Sequence, residues 1–381
     1  MESDGFKLRI ILIMYYYRFI LFFTFFLSII HCNLMAESDE SETDSSDIDR
    51  FGIIPLPIFF YTPETRFAGG ALLNIYFREP GSNLKSRPSS IMPDIIFTQN
   101  KQFILEVSGD LYWKNQNYFN HIYAGFKRFP DKFYGIGNDT PADNEEDYTP
   151  RLFSFEFSIL KRIPPYFYIG IGYEYETYKL IKYEEDGMLS SGEIWGSEGG
   201  KIAAIKLQFF HDNRDNVFFP AKGSFIQLDW RIYHNIVGSD YKFQNWIIDL
   251  RKYYSIFKSH ILTFQGYFSA ISGEAPFNRL SLLGGTRLLR GYYEGRYRDN
   301  NMLIFQTEYR IHLWWRFGMA TFLGIGDVSN KLDNFQISQF KPSAGLGVRV
   351  IMNPQEKLNV RCDLGFGKQT SGLYITIGEA F

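Results

Sequence analysis

Cysteine is almost absent: Cys32 and Cys362 are the only two in 381 residues. Cys32 lies in an N-terminal apolar leader, so no intramolecular disulfide is expected to staple the folded part. There is no excess of positive charge either. Against 42 Asp and Glu stand 40 Lys and Arg, a formal net charge of −2, which leaves nothing to neutralise a phosphate backbone and excludes nucleic acid as a main partner. After residue 34 no apolar run approaches the roughly 20 residues that a spanning helix requires, which excludes a polytopic helical membrane protein. The histidines, His31, His121, His211, His234, His260 and His312, are scattered without ligand spacing, so neither a metal nor another cofactor is expected. The Gly-x-Gly pairs at Gly135/Gly137, Gly170/Gly172, Gly324/Gly326, Gly345/Gly347 and Gly365/Gly367 never lie between a strand and a helix, and read as strand and bend glycines rather than a nucleotide loop. No Gly-x-Ser-x-Gly occurs. A serine hydrolase would need a Ser/His pair and an acid; His121, His234 and His260 are available for one but nothing supports it, and the chain is expected not to be an enzyme.

What is abundant is aromatic surface: 38 Phe, 26 Tyr and 6 Trp make 18% of the chain, too much for a disordered protein. The one long apolar segment, Ile10 to Leu34, has a core FILFFTFFLSII preceded by Arg18 and is expected to be a cleaved signal peptide over residues 1–36, with the cut after Ala36. Initiation at Met14 rather than Met1 gives the cleaner leader, because Glu2 and Asp4 are foreign to a basic leader. Residues 37–50 hold seven acids and four serines, which repel and build no core, so they read as a solvated linker.

From Phe51 to Phe381 the pattern has a period of two. Ile226, Leu228, Trp230 and Ile232 alternate with Gln227, Asp229, Arg231 and Tyr233, and the same alternation recurs in Phe153 to Ile159, in Phe167 to Glu176 and in Val360 to Leu364. The strands run about 10 to 15 residues, long enough to cross a bilayer at a tilt. Their polar face carries Asp229, Arg231, Asp249, Arg251, Glu308, Arg310, Arg349, Arg361 and Asp363. Such charges are ruinous in a sandwich core but at home in a hydrated lumen. Aromatic pairs at strand ends, Trp314-Trp315 and Tyr253-Tyr254, suit an interfacial girdle. The expected fold is therefore an all-β transmembrane antiparallel barrel over residues 51–381. Its 16 strands fall near 53–62, 66–78, 90–99, 102–113, 118–129, 151–163, 166–180, 200–211, 224–236, 240–254, 259–272, 301–313, 317–328, 342–352, 357–367 and 372–381. Pro55 and Pro57 remove donors from the first strand, which an edge or seam tolerates. Long loops at 130–150, 181–199, 273–300 and 329–341 fall on one side, expected to be extracellular, and short turns such as those at 161–165 and 353–356 on the periplasmic side.

Three ordered stretches go further. His211-Asp212-Asn213-Arg214-Asp215 through Pro220-Ala221-Lys222-Gly223 resembles the D-x-R-D-x-x-x-x-P-x-x-G turn of the BamA/TamA superfamily, the bacterial surface antigen family of outer-membrane barrels. Gly284-Gly285-Thr286-Arg287-Leu288-Leu289-Arg290-Gly291-Tyr292 resembles that family's loop-six signature, and Gly345 to Phe381 is similar to its last three strands. The resemblance covers about 200–381. Because residues 37–50 leave no room for a periplasmic POTRA domain, it points to the branch without them.

The resemblance implies that Arg290, in the tripeptide Arg290-Gly291-Tyr292, reaches into the lumen towards an aspartate on the following strand pair, but Gly324 occupies that aspartate's place; Asp327, Asp363 or Glu308 then remains as a partner. A guanidinium with five donors could fix the loop inside the barrel, whereas the bland alternative is a solvated loop arginine. Asp212, Arg214 and Asp215, with Pro220 and Gly223, read as a turn-fixing cluster at the periplasmic side. Glu308/Arg310 and Arg361/Asp363, each two apart on one strand, read as lumen charge ladders. Phe381 is taken as the end of a C-terminal signal read by the barrel assembly machinery during biogenesis.

The functional expectation is a monomeric barrel in the cell outer membrane of a diderm bacterium, in contact with outer-membrane lipid, that inserts or translocates a protein or lipid client, with a weak seam between its first and last strands. The alternative is a passive pore or surface-interaction barrel without assembly activity.

Overall fold

A computed structural model describes residues 51–79, 88–114, 116–257, 259–353 and 357–381. The leader and acidic linker expected over residues 1–50 lie outside the described residues, as do residues 354–356 of one expected turn. The barrel strands are β1 (Phe51–Thr62), β2 (Arg66–Phe77), β3 (Ser89–Thr98), β4 (Phe103–Trp113), β5 (Tyr118–Arg128), β6 (Glu146–Ile163), β7 (Phe167–Lys182) and β8 (Gly200–Asp212). They continue as β9 (Gly223–Tyr233), β10 (Phe243–Phe257), β11 (His260–Gly273), β12 (Asn301–Trp314), β13 (Phe317–Ser329), β14 (Lys341–Asn353), β15 (Leu358–Gly367) and β16 (Thr370–Ile377). Each pairs antiparallel with the next, and β16 returns to β1, so the 16 strands close. Among the described residues no helix is long and apolar enough to cross a membrane.

The alternation sorts the side chains inside out. Leu323 and Leu346 are 61% and 53% exposed on the outer wall, while Glu308 and Asp363 inside are 0% exposed. This is the inverse of a soluble core. It suits a wall whose outside meets hydrocarbon and whose ladder leaves no lipid-facing edge except at the closing pair.

The long connections, residues 129–145, 183–199, 234–242, 274–300 and 330–340, gather at one end of the barrel with the tight turns 63–65, 99–102 and 368–369. Inside this long-loop end, Phe133, Tyr148, Tyr178, Leu180, Ile202 and Phe277 form an apolar plug beneath the loops. Residues 274–300 fold inward around a small hairpin, Ser281–Leu283 against Tyr297–Asp299.

Four details depart from the sequence reading. The sixth strand starts at Glu146, not 151, because Asp131–Phe133 pairs with its outer extension. The ninth ends at Tyr233 in a short 3-10 turn, and the tenth begins at Phe243 and runs on to Phe257. Of the supposed girdle pair only Tyr254 faces outward, 49% exposed; Tyr253 is 1% exposed inside the barrel. Finally, β16 stops at Ile377, Gly378 bends at φ 81°, and the last residues leave the wall instead of extending it.

Candidate functional site in the barrel lumen

The centre of the lumen is a charge network on β12, β14 and β15, the places where alternation points ionised groups inward. Glu308 of β12 accepts from Arg310 Nε at 2.6 Å and lies in an ion pair with Arg349, 3.4 Å from its Nη2. Asp363 of β15 accepts from Arg349 Nη1 at 2.5 Å and from Arg361 Nη1 at 2.6 Å. Glu379, on the segment beyond β16, accepts from Arg349 Nε at 2.9 Å and Asn359 Nδ2 at 2.8 Å, and forms an ion pair with Arg310, 3.5 Å from its Nε. The expected two-apart ladders exist, but they are tied across strands into one cluster.

Loop 274–300 adds the fourth arginine. Arg290, fully buried, donates from Nη2 to Glu308 at 2.5 Å and from Nη1 to Asp363. Its guanidinium lies 3.6 Å from the centroid of the Phe322 ring. The strand that lacks the family's aspartate thus supplies an aromatic face, and the two carboxylates come from strands on either side. Of the three candidate partners, Glu308 and Asp363 meet Arg290 and Asp327 does not: Asp327 binds Lys341 Nζ at 2.8 Å and Asn138 Nδ2 at 3.3 Å.

The backbone of the tripeptide is held as closely as its charge. Gly291 has φ 110°, and a Cβ there would lie 2.8 Å from the Phe366 carbonyl carbon, so only glycine fits. Gly365 faces it from β15, where a Cβ would lie 2.8 Å from Gly291 N. Gly291 N donates to the Tyr374 hydroxyl at 2.9 Å, and the Ser343 hydroxyl donates to the Arg290 carbonyl. Tyr292 donates its hydroxyl to the Pro342 carbonyl and accepts from Lys368 N, both at 2.8 Å. Leu289 sits over Gly324, whose Cβ would be 3.0 Å from the leucine. Sequence reasoning missed Phe322, Ser343 and Tyr374, because only the register of the closed barrel brings them under the loop.

The other named residues lie elsewhere. Asp212 accepts from Arg214 Nε and Nη2 at 2.8 Å each, and Asp215 Oδ1 takes Ala221 N at 2.8 Å and Lys222 N at 3.0 Å. Pro220 is buried and Gly223 turns at φ 104°. This turn caps the end opposite the long loops and sends Phe219 to within 5.8 Å of Arg310. Phe381 is buried, and its main-chain oxygen accepts from Arg310 Nη2 at 2.7 Å. His121 pairs with Asp110 at 2.8 Å and His260 with the Tyr309 hydroxyl at 2.6 Å, while His234 Nδ1 accepts from Ile236 N at 3.2 Å. Among the described residues no serine hydroxyl bonds to any of these rings.

At the long-loop end a second, acidic group ties loop 274–300 to the first hairpin. Glu64, in the β1–β2 turn, accepts from Glu294 N at 2.8 Å, and Asp131 accepts from the Tyr293 and Tyr148 hydroxyls at 2.8 and 3.1 Å. Burial pushes Glu64 and Asp131 above the ordinary carboxylate range. Enclosure by the loops, and then the charges of Glu64 and Asp131, push Glu294 up to about 7.

Comparison with known proteins agrees with this architecture. The family model described as "Omp85 superfamily domain" matches residues 93–381. No curated protein sequence matches the chain. Among solved structures it is similar to BamA from Haemophilus ducreyi lacking POTRA domains 1–3, with a TM-score of 0.59 and 12% identity over 87% of this chain and 70% of that one. It is also similar to CdiB from Acinetobacter baumannii, TM-score 0.56 at 12% identity over 87% of this chain and 60% of that one. CdiB from Escherichia coli gives a TM-score of 0.58 at 8% identity over 88% and 64%. At these identities the likeness is one of fold.

Proposed function

The chain belongs to the Omp85 superfamily, and from that premise we propose that it works in the outer membrane of a diderm bacterium as an insertion or translocation barrel for a protein or lipid client. The long-loop end then faces outward and the 213–222 turn faces the periplasm. In this reading Arg290 clamps loop 274–300 across the lumen, which closes it to free diffusion, and the working part is the seam between β1 and β16.

The observation that carries the proposal is the closure itself. β1 and β16 share a single registered pair, Tyr61 with Ile375. Every other neighbouring pair of barrel strands is in register over at least eight residue pairs, as β15 is with β16. Pro55 and Pro57 lie in β1 with no amide hydrogen to offer, so the seam has few bonds to break. An opening there would expose strand edges to the bilayer, where a client strand could pair.

The test is a reversible lock. The registered pair directs it to Tyr61→Cys with Ile375→Cys. Cys362 must first become Ser, because it stands opposite Ile375 across β15 and β16 and would capture the new thiol. In vesicles, the reduced protein should speed insertion of a urea-unfolded outer-membrane barrel, the oxidised protein should not, and reductant should restore the effect. Equal insertion rates for locked and unlocked protein would refute lateral opening and leave a passive barrel.

A further inference from the structure

The outer wall carries cations as well as apolar groups, and they are grouped. On β5, β6 and β7 the register sets Arg128 opposite Arg151 and Arg151 opposite Lys179. On β8, Lys201 stands opposite Thr177, two residues from Lys179 on the same face. All four are exposed. Their parity is that of the lipid-facing residues Phe126, Phe153, Ile171 and Ile205, so they point out of the barrel, at its long-loop end.

Side-by-side like charges destabilise a sheet. Among the described residues none of the four has a carboxylate partner. The inward cations beside them do: Lys127 pairs with Glu106 at 2.7 Å, and Lys206 with Glu156. Asp147, further along β6, is engaged by Lys132 Nζ at 3.4 Å. Asp240 accepts the main-chain N–H of Lys201 at 2.7 Å. Adjacent strands lie about 4.8 Å apart, so Arg128, Arg151 and Lys179 span roughly 10 Å of rim.

We propose that Arg128, Arg151, Lys179 and Lys201 form a binding site for the phosphate groups of an anionic lipid headgroup in the outer leaflet. The chemistry is that of phosphate: two guanidinium forks beside two ammonium groups match its oxygens. The position makes the ligand a lipid. One step towards the membrane from the cation row, Phe126 and Phe153 face each other in register, with Phe155 one step further, so acyl chains hanging from a phosphate at the rim lie along an aromatic wall. The site begins on β5, four strand pairings from β1; its place in the outer leaflet rests on the outward orientation of the long-loop end in the proposed function, and not on opening of the seam.

The experiment follows the heat-modifiable gel migration of the refolded barrel, as a thermal midpoint, against added lipid. Diphosphoryl lipid A should raise the midpoint of the wild type, and phosphatidylcholine should not. Arg128→Gln/Arg151→Gln/Lys179→Gln/Lys201→Gln should need at least about tenfold more lipid A for half the effect, given the attraction of each rim cation to an anionic surface. Arg151→Gln alone, the middle of the row, should show a smaller shift in the same direction, which keeps the test usable if the fourfold variant folds poorly. Lys161→Gln/Lys252→Gln, at the opposite rim, should behave as wild type. High salt should weaken the effect. A wild-type midpoint indifferent to lipid A, or an equal response from Arg151→Gln and the fourfold variant to that of wild type, would overturn the proposal. So would inorganic phosphate reproducing the rise, which would make the patch a general anion sink.

Discussion

Replacing Arg290 with alanine should release loop 274–300 from the wall while leaving the barrel closed. Removing one partner of a buried ion pair costs about 3–5 kcal/mol when the survivor is left alone in the interior. Here neither survivor is alone: Glu308 keeps Arg310 at 2.6 Å, and Asp363 keeps Arg349 at 2.5 Å and Arg361 at 2.6 Å. The cluster passes from four arginines against Glu308, Asp363 and Glu379 to three against the same carboxylates. What disappears is a forked charge-assisted contact, at about 1.5–3 kcal/mol, and a stacked cation on Phe322, at about 0.5–2 kcal/mol. A combined loss of about 2–5 kcal/mol corresponds to a roughly 30- to 5,000-fold rise in the released fraction of the loop. Hydrogen exchange over residues 286–292 would read that rise, and single-channel conductance would show the lumen opening. Arg290→Lys keeps the charge but not the fork, and should fall between. Wild-type exchange in Arg290→Ala would refute the clamp; loss of heat-modifiable migration would show that the network holds up the barrel itself.

Two further outcomes follow. On the outer wall, Leu228→Arg should cost about 2–4 kcal/mol of folding into vesicles, as expected near midplane. Trp230→Arg should cost less, because Trp230 stacks on Trp246 and donates to Gln244 at 3.0 Å near the long-loop end of its strand. Asp229→Asn inside should cost about 1 kcal/mol or less, since Arg231 retains Glu174 at 3.3 Å; equal effects at the three sites would mean that the faces are misassigned. Glu294 gives a pH dependence: its carboxyl, ordinarily near 4.5, rises to about 7 in the folded loop. The folded state therefore keeps a proton that the unfolded chain gives up, so docking of the loop is firmest below pH 4.5 and weakens as pH rises through 7. Hydrogen exchange of residues 291–296 measured from pH 5 to 8 should speed up beyond its intrinsic pH dependence, and Glu294→Gln should reduce that excess, with Glu64 and Asp131, both also raised, supplying the rest; no excess in the wild type would sink the reasoning.

The barrel was legible because its physics is local. A strand with lipid on one side and water on the other must alternate, and the 16 strands could be laid out from alternation alone. The errors came where local pattern is not what decides. Glu146-Asp147-Tyr148-Thr149-Pro150 does not alternate, yet it is strand, since Asp131–Phe133 lies beside it and supplies the bonds. Tyr253 and Tyr254 look alike in composition, but parity sends the first to the lumen. At the seam, closure sets Tyr61 opposite Ile375. That register depends on the shear accumulated over the whole circuit, which no single segment carries.

The loop anchor shows the same limit at the level of chemistry. Parity alone places Glu308, Arg310, Arg349, Arg361 and Asp363 inside, so the presence of a lumen charge network could be read directly. Which carboxylate receives Arg290 could not, because Glu308 and Asp363 are 55 residues apart in the chain and meet only through the stacking of β12 to β15. The glycine at 324 then acquires a physical meaning. An aspartate there would push its Cβ into Leu289 at 3.0 Å, and it would bring another carboxylate to a clamp that Glu308 and Asp363 already satisfy. With Phe322 stacked beneath the guanidinium, the arginine's flat face is covered by an aromatic ring and its fork by carboxylates from two other strands. The position that departs from the family pattern is therefore coupled to the relocated charges, and restoring the aspartate by Gly324→Asp should loosen the loop rather than tighten it.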